Sequence, residues 1–498
     1  MIFLSKIPHG EIMITTSPLH ERYEPVIGIE VHIQLTTTTK IFCRCLNIPL
    51  AQPNSNICEI CTGQPGSLPV LNKSVAEAAV TMGLATNCTI REISIFARKH
   101  YFYPDLPKNF QITQADMPIA EHGSIVVPRE DGSTFTVRIR RIHIEEDAGK
   151  SIHAPDNSSS FVDLNRAGTP LLEIVSEPDI HSAADARLYL KELHAIVTTL
   201  GICSGNMEEG AFRADTNISV RLKGVQTLGT RCELKNINSF KFISDATTYE
   251  ISRHIELLEQ GEKITQQTRL WDTRKRITIP MRSKEEAADY RYMPEPDIPP
   301  LVVSKELQDK LLARLPEMPL QRVDRLKRDY DLTTAEATIL AYDSALMNYY
   351  EASARHTKSP KLINWILRDL LAYLKEHNQS INECLKSTAH LNPQKLAELV
   401  ELIEQGAINA RIGQEVFVEL ANTGKSPKLI VAEKGVGKIE EKQLTPLVQE
   451  VLTVYAKKVQ EYQNGNEKLW GFFVGKVMEK TQGRAEPHLV ATTLKKLL

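Results

Sequence analysis

The chain has 498 residues, more than one hydrophobic core supports, so two or three domains are expected. Hydrophobic residues make up 42% and charged residues 24%, as in ordinary globular proteins, and no apolar run is long enough to cross a bilayer. The formal net charge of −2 excludes the overall basic character of many nucleic-acid binders, although a local basic patch remains compatible with it.

The first residues and the cysteines indicate the compartment in which the chain works. Pro8–Gly10 interrupts the short apolar stretch of the leader 1–22, which does not resemble a secretory signal and is expected to be disordered. The eight cysteines are clustered rather than spread as a disulfide lattice. Because such usage is typical of a reducing cytosol, we expect a cytoplasmic protein with no membrane attachment.

Two parts of the chain differ in the period of their apolar residues. From about Tyr23 to Pro300 short runs alternate between apolar and polar, with turns predicted at Asp131–Gly132 and at Gly210, which is typical of strands. From about Lys305 the apolar residues recur three and four apart, as in helices. The predicted fold class is therefore α+β, with a large, mostly antiparallel sheet followed by helices.

Domain boundaries follow from the same change of period. Prolines in Tyr292–Pro300 prevent a helix there, so the sheet domain is predicted to span residues 23–310. Residues 311–348 are predicted as a connecting helical segment and residues 349–498 as a helical domain with a small helical tail. Helix N-caps are expected at Ser182, at Ser239 or Ser244, and at Ser359.

The first predicted strand, Val26–Leu35, separates apolar from polar side chains. Alternation places Ile27, Ile29, Val31, Ile33 and Leu35 on one face, and Gly28, Glu30, His32 and Gln34 on the other. A carboxylate and an imidazole two residues apart on one face form half of a metal site. A solvated outer face of the sheet is the alternative interpretation.

Two further predicted strands carry acidic residues. The run Val137–Asp147 ends in Glu145, Glu146 and Asp147, which repel one another unless a cation compensates them, and such oxygen ligands suit Mg²⁺. An acidic turn at a strand end is the alternative. Glu173 lies inside an otherwise apolar strand, where an ionised carboxylate is unfavourable unless it is paired or binds a metal. That position favours a functional role.

A fourth predicted strand, Phe212–Ser219, has a polar face made of Arg213, Asp215, Asn217 and Ser219. The segment Glu233–Phe240 then leads into a predicted helix, whose N-terminus favours anions such as phosphate or an acyl carboxylate. A strand with a solvated face and an ordinary capped helix is equally compatible with this pattern.

Established nucleotide-binding motifs are missing from the sequence. It contains neither the glycine-rich loop of P-loop enzymes nor the protein-kinase motifs. Phosphoryl transfer would therefore depend on metal-held phosphates and basic groups, for which Lys99 is a candidate.

Cysteines in a C-x-C and a C-x-x-C motif, separated by a short loop, predict a tetrahedral zinc site. The four thiolates would be Cys43, Cys45, Cys58 and Cys61. Because four protein ligands leave no open position, such a zinc ion would be structural. Four reduced thiols on a loop are the alternative. The isolated cysteines are expected to be packing residues: Cys88, Cys203, Cys232 and Cys384.

These runs together resemble the family of aspartyl/glutamyl-tRNA amidotransferase B subunits. The likeness extends from about Tyr23 to the end of the chain, and its motifs keep their order. They are Val26–His32, Arg98–Asp105, His143–Lys150, Val162–Arg166, Gly168–Leu171, Glu233–Phe240, Asp289–Tyr292 and Gly471–Met478.

The resemblance implies a cradle-shaped N-terminal domain, a helical domain and a tail that touches tRNA. It also implies a heterotrimer, in which a glutaminase subunit supplies ammonia and a small third subunit joins the glutaminase to the amidating subunit. The expected activity is that of a ligase forming a carbon–nitrogen bond. ATP would phosphorylate the side-chain carboxylate of Asp-tRNA(Asn) or Glu-tRNA(Gln), and ammonia would then form the amide.

Specific residues follow from the resemblance as well. It implies that Glu30, His32, Glu145 and Glu173 hold Mg²⁺, and that zinc occupies the four-cysteine set in some members. Glu145 and Lys99 are the expected catalytic residues, with Glu146 and Asp147 as second choices. The face of Arg213, Asp215 and Asn217 is the expected binding surface for ATP.

Three other functions can be compared with the one that the resemblance implies. A non-catalytic tRNA-binding scaffold is the competing function. An archaeal-type relative that acts only on Glu-tRNA(Gln) carries a large inserted domain, for which this chain has no room. Ser158–Ser160 lies in a polar loop without the glycine-rich setting of an amidase site, so the chain is not expected to release ammonia itself.

Overall fold

A computed structural model describes residues 21–49, 52–154, 156, 158–281, 290–436, 441–481, 484–485 and 487–498. Most of the predicted disordered leader, residues 1–20, lies outside the described residues. The chain divides into two compact units, Met1–Ala335 and Glu336–Leu498. The predicted boundaries of the connecting segment 311–348 stay a prediction.

The first unit is built on a nine-stranded sheet with the strand order β14-β13-β12-β11-β1-β10-β7-β6-β2. Every described neighbour pair in it is antiparallel except β12 with β13, which confirms the predicted sheet. The strands are β1 (Tyr23–Gln34), β2 (Thr89–Ile90), β3 (Ile93–Ser94), β4 (Ala97–His100), β5 (Phe110–Thr113), β6 (Ala120–Pro128), β7 (Thr134–Glu146), β8 (Lys150–His153), β9 (Ser160–Asp163), β10 (Pro170–Ser176), β11 (Phe212–Leu222), β12 (Cys232–Ile237), β13 (Gln267–Asp272), β14 (Ile277–Pro280), β15 (Met293–Pro294) and β16 (Leu301–Val302).

Alternation along β1 separates the two sides of this sheet as predicted. Ile27, Ile29, Val31 and Ile33 are buried in the main hydrophobic core. Glu30 and His32 point to the other side, which we call the polar face. Since a shift of one residue would exchange the two sides, burial of the apolar side chains fixes the register and with it the polar face.

Helices of the first unit cover the apolar side of the sheet. Ser182 and Ser239 cap α2 and α3 by accepting hydrogen bonds from backbone N–H groups, which confirms both N-caps and leaves Ser244 inside a helix. The bounds are α1 (Lys73–Ala85), α2 (Ala183–Thr199), α3 (Phe240–Glu259), α4 (Lys305–Leu312) and α5 (Pro319–Tyr330), followed by α6 (Thr334–Ala341) across the division between the units.

The second unit is helical, as predicted, in all its described parts. The expected N-cap at Ser359 is wrong, because the next helix begins at Leu362 with Lys361 as its N-cap; the Ser359 hydroxyl accepts from Lys361 N at 3.2 Å, outside the helix, and donates to Glu404 Oε2 at 2.8 Å. The helices are α7 (Ser344–Ala354), α8 (Leu362–Asn364), a π-helical turn (Trp365–Leu370), α9 (Leu371–Glu376), α10 (Ile381–Cys384), α11 (Pro393–Glu404), α12 (Ala410–Thr423), α13 (Pro427–Lys434), α14 (Glu441–Val454), α15 (Ala456–Gln463), a 3-10 turn (Glu467–Leu469), α16 (Trp470–Lys480) and α17 (Pro487–Leu497).

The last helices pack around their own hydrophobic cluster, which is the predicted small tail. Leu444, Val448, Phe473, Val477 and Val490 are fully or almost fully buried in it. Among the helices that are described, none is long and apolar enough to span a bilayer.

A buried ion-pair network ties α3 to the sheet edge. The Glu250 carboxylate accepts hydrogen bonds from Arg253 Nε at 3.0 Å and from Thr278 Oγ1 at 2.7 Å, and Arg269 Nε lies 3.3 Å away. Cys232 and His254 complete a group of metal-ligand types. Two guanidinium groups already supply positive charge beside Glu250, so this cluster is an ion-pair network that fixes α3 against β13 and β14.

We expect Glu250→Gln to destabilise the chain by about 3 kcal/mol, because it leaves buried guanidinium groups without their counter-charge. The measurement is the thermal unfolding midpoint followed by circular dichroism. Glu256→Gln, on the exposed side of the same helix, is the matched control and should leave the midpoint unchanged. Equal midpoints for the two variants would contradict the assigned role.

The difference in stability between wild type and Glu250→Gln should also depend on pH. Burial opposes ionisation, but hydrogen bonds from His254, Arg253 and Thr278 outweigh it and lower the pKa of Glu250 to about 2. A carboxylate whose folded-state pKa lies below its unfolded value of about 4.3 stabilises the fold above that value. The difference in midpoint between wild type and Glu250→Gln should therefore be full above about pH 5 and shrink as the pH falls toward 2. A difference that is constant from pH 7 to pH 3 would contradict it.

Candidate functional site

Cross-strand pairing on the polar face aligns side chains from four neighbouring strands. His32 of β1 lies opposite Arg213 of β11 on one side and Glu173 of β10 on the other. Glu173 in turn lies opposite His143 of β7. Because side chains directly opposite one another share a face and touch, this row brings acidic and imidazole groups together.

Two carboxylates and two imidazoles form the centre of the polar face. His32 Nε2 lies 3.3 Å from Glu145 Oε1 and 3.2 Å from Glu173 Oε2. His143 Nε2 lies 3.2 Å from Glu173 Oε2 and 3.6 Å from Glu145 Oε2. We call these four residues the carboxylate–imidazole centre. Three strands contribute to it, so its geometry depends on the sheet and on no loop.

Opposite charge dominates the electrostatics of this centre. Burial opposes protonation of both imidazoles, but Glu145 and Glu173 outweigh it and raise the pKa of His32 to about 10 and that of His143 to about 9. Burial likewise opposes ionisation of the carboxylates, but the two histidines hold the pKa values of Glu145 and Glu173 below the usual range. The buried carboxylates are thus charged groups that require positive partners.

Glu30 lies beside this centre rather than within it. Its Oε1 accepts a hydrogen bond from Asn217 Nδ2 at 3.1 Å. Lys235 Nζ lies 3.2 Å from Asp215 Oδ2 and 3.1 Å from Glu233 Oε1. We call these five residues the lysine cluster. Burial, followed by the charge of Glu173, raises the pKa of Glu30. The lysine cluster and the carboxylate–imidazole centre therefore interact electrostatically.

Lys99 lies on β4, which forms a separate three-stranded sheet with β15 and β5. Its Nζ lies 4.8 Å from the centroid of the Tyr290 ring. Burial acts to lower its pKa, but the charge of Glu145, then Tyr292 and Glu173, raises it overall. The lysine is therefore a cation on which the charge of both central carboxylates acts.

Glu146 and Asp147 are directed away from the centre. Glu146, on the opposite side of β7 from Glu145, pairs with Lys108 and accepts a hydrogen bond from Ile112 N at 2.9 Å. Asp147 Oδ2 lies 3.1 Å from Arg213 Nη2 and 3.6 Å from Arg166 Nε. Asp147 thus pairs with two half-exposed guanidinium groups, of which that of Arg213 lies opposite His32.

The four predicted cysteines converge. Cys61 Sγ lies 3.5 Å from Cys43 Sγ, 3.7 Å from Cys58 Sγ and 3.8 Å from Cys45 Sγ, and none is in a disulfide. We call them the thiol cluster. Thiolates that each lie about 2.3 Å from a tetrahedral zinc ion are about 3.8 Å apart, so the spacing fits a bound metal. The ammonium group of Lys40, 3.5 Å from Cys61 Sγ, adds positive charge.

Three residues of the site were not predicted from the sequence. His143 carried a usable signal, because it alternates with Glu145 along one strand and must share its face. Lys235 lay in a segment interpreted as the approach to a helix N-terminus that favours anions, and the lysine itself was not singled out. Arg166 ends one of the motifs that carry the family resemblance, but its contact with Asp147 depends on how two loops meet.

Comparison with known proteins gives consistent family matches. Residues 25–309 match the family model described as "GatB/GatE catalytic domain", and residues 348–498 match the one described as "GatB domain". Curated relatives named as B subunits of aspartyl/glutamyl-tRNA(Asn/Gln) amidotransferase are similar over nearly the whole chain. Those of Thermodesulfovibrio yellowstonii and Persephonella marina are each 48% identical over 479 residues, covering 96% of this chain and 99% of the relative. That of Myxococcus xanthus is 48% identical over 478 residues, covering 96% and 98%.

Proposed function

Because this chain belongs to the family of aspartyl/glutamyl-tRNA(Asn/Gln) amidotransferase B subunits, we propose that it carries out the ATP-dependent amidation step of that ligase. The substrates would be Asp-tRNA(Asn) or Glu-tRNA(Gln). The observation that supports this proposal is the carboxylate–imidazole centre, in which buried charges converge from three strands with Lys99 beside them.

The chemistry requires positioning and charge neutralisation rather than a protein nucleophile. A carboxylate does not accept ammonia, because oxide would have to leave. In the proposed sequence a carboxylate oxygen of the aminoacyl group attacks the γ-phosphorus of ATP, and ADP leaves. Ammonia then attacks the acyl carbon, phosphate leaves, and the amide remains. Both steps gain most from held reactants and balanced charge.

The centre fits a divalent cation. One ligand atom each from His32, Glu145 and Glu173 lies within 4.8 Å of the others, and the two carboxylates are buried. These residues would hold Mg²⁺, with Glu30 in the adjacent row, and the ion would bind the neutral imidazole of His32 in place of its proton. When bound, the ion would neutralise phosphate charge. Lys99 would balance the negative charge on the phosphoryl group that is transferred. Glu146 is the weaker candidate for a catalytic residue, because its carboxylate is already paired with Lys108.

The ATP phosphates are assigned to the β11 side of the centre. Arg213 is half exposed there and held by Asp147, so its guanidinium group can face an anion, whereas Arg166 beside it donates to Ala148 O and Gly149 O. Asp215 and Asn217, on the same face, are tied to Lys235 and Glu30 and would contact the remainder of the nucleotide.

The partners follow from the reaction. A glutaminase subunit would deliver ammonia, and a small third subunit would join the glutaminase to this chain. Residues 349–498 would bind tRNA, supported by a groove of 1040 Å³ in the second unit that is lined in part by Lys361, Arg368 and Arg484. The cytoplasm, where ATP and aminoacyl-tRNA are made, is the expected compartment. A non-catalytic tRNA-binding scaffold is the competing function, and the match to a family model described as a catalytic domain does not favour it.

We expect Glu145→Gln to lower ATP-dependent amidation by the assembled heterotrimer about 100-fold or more, because electrostatic stabilisation of that kind is worth several kcal/mol. The assay measures amidated tRNA and ADP with Asp-tRNA(Asn) and Glu-tRNA(Gln) as separate substrates. Glutaminase activity and tRNA binding should persist.

The control for that experiment is Glu130→Gln, the same chemical change in the exposed turn before β7. Undiminished amidation by Glu145→Gln would remove Glu145 from the mechanism. Amidation that proceeds equally well without ATP would leave only the scaffold function.

We further propose that the thiol cluster holds one structural zinc ion. Chain purified under reducing conditions should contain about one zinc, and Cys58→Ser should lose it and melt at a lower temperature. Zinc is measured by elemental analysis. Cys384→Ala, a buried cysteine of the second unit, should retain the metal. A wild-type chain without stoichiometric zinc would contradict the assignment.

A further inference from the structure

Two segments with several aromatic residues are held together at the edge of the carboxylate–imidazole centre. The first, residues 101–103, follows β4, and the second, residues 290–292, precedes β15. Strands β4 and β15 pair, and His100 N donates a hydrogen bond to Tyr290 O at 2.9 Å. The His100 ring contacts Arg291 O, also at 2.9 Å. The two segments therefore form one surface.

The rings of these segments form a connected group. Tyr101 lies 6.0 Å from Tyr103 and 6.2 Å from Tyr290, and Tyr290 lies 6.1 Å from Tyr292, measured between ring centroids. The Arg291 guanidinium lies 5.7 Å from the centroid of Phe102. We call Tyr101, Phe102, Tyr103, Tyr290 and Tyr292 the aromatic rim.

Most of the aromatic rim faces solvent. Phe102 is 66% exposed, Tyr292 50% and Tyr103 49%. Isolated exposed apolar residues are common, but several large rings on one surface indicate a binding site. Arg291 adopts a left-handed backbone conformation with φ 42°, which is strained for a residue with a side chain. The fold thus maintains this surface at a conformational cost.

The aromatic rim is attached to the strand that carries Glu145. The Tyr101 hydroxyl donates to Gln111 Oε1 at 3.3 Å, and Gln111 Nε2 donates to Glu146 O at 2.6 Å. Lys99 lies over the Tyr290 ring and also feels the charge of Glu145 and Glu173, which raises its pKa. A group bound on the rim would therefore be adjacent to the reacting atoms.

We propose that the aromatic rim binds the single-stranded 3′ end of the aminoacyl-tRNA by stacking its terminal adenine. The inference rests on the proposed function, which requires the aminoacyl group to reach the centre. Single-stranded RNA ends are bound by stacking on aromatic rings and guanidinium planes, and Lys99 and Arg291 supply positive charge for the adjoining phosphates.

Sheet order favours the tRNA end over the adenine of ATP. The guanidinium group assigned to ATP belongs to Arg213 on β11 of the nine-stranded sheet, whereas the rim is carried by β4 and β15 of a separate sheet. The two substrates would thus bind on different elements and meet where Glu145 and Glu173 lie.

The test uses the assembled heterotrimer with Phe102→Ala and Tyr292→Ala, singly and combined. We expect the KM for Asp-tRNA(Asn) or Glu-tRNA(Gln) to rise about tenfold in the double variant, while the KM for ATP and the glutaminase rate stay unchanged. Tyr292→Phe, which keeps the ring, should retain a wild-type KM. Phe242→Ala, an exposed ring on α3, is the control.

A second arm isolates the terminal base. Deacylated tRNA with and without its 3′-terminal adenosine is used as a competitive inhibitor. Wild type should bind the complete tRNA about tenfold more tightly, and the double variant should bind both equally. An unchanged preference in the double variant would overturn the inference, as would a raised KM for ATP, which would place the adenine of ATP on the rim. Failure of the wild-type heterotrimer to amidate either substrate would instead refute the proposed function itself.

Discussion

Register between β1, β10 and β7 is the constraint on which the rest of the first unit depends. It places Glu173 between His32 and His143 and brings Glu145 against both histidines. Each of these groups would be unfavourable if buried alone, and each is tolerated because its neighbours carry the opposite charge. The apolar side of the same strands fixes the register, so ordinary core packing holds a charged site in place.

The strands on either side of this centre supply different chemistry. Toward β11 lie guanidinium and carboxamide groups, with Asp147 holding Arg166 and Arg213 in position. Toward β4 and β5 lie aromatic rings and Lys99. The proposed reaction uses ATP, an aminoacyl-tRNA and ammonia and needs distinct surfaces around one point, which a broad sheet provides.

Much of this arrangement could be predicted from the sequence, because alternation along a strand is a local property. It placed Glu30 with His32 on one face and identified Glu173 as an acid in an apolar strand. It could not show that His32 lies opposite Glu173 while Glu30 lies opposite Val175, since register depends on the partner strand. The role of Glu30 as a metal ligand, which the family resemblance implies, stays a prediction; in the structure its carboxylate accepts a hydrogen bond from Asn217.

Contacts between distant segments account for the other differences. Ser359 has the side chain of a good N-cap, but Glu404, 45 residues later, accepts its hydroxyl hydrogen bond. Arg166 depends in the same way on Asp147. The thiol cluster was predictable because its ligands lie within one short loop, whose length alone limits how far apart the sulfur atoms can be.

The two-residue alternation of β1, β7 and β10 also restricts how chains of this kind can change in length during evolution. A single-residue insertion between Leu171 and Val175 would turn the Glu173 side chain into the hydrophobic core and would place an apolar neighbour on the polar face. The turn around Gly132, which joins β6 to β7, is not bound by this alternation, so its number of residues can change freely. Related chains should therefore differ in length at hairpin ends, while the three central strands keep a constant number of residues.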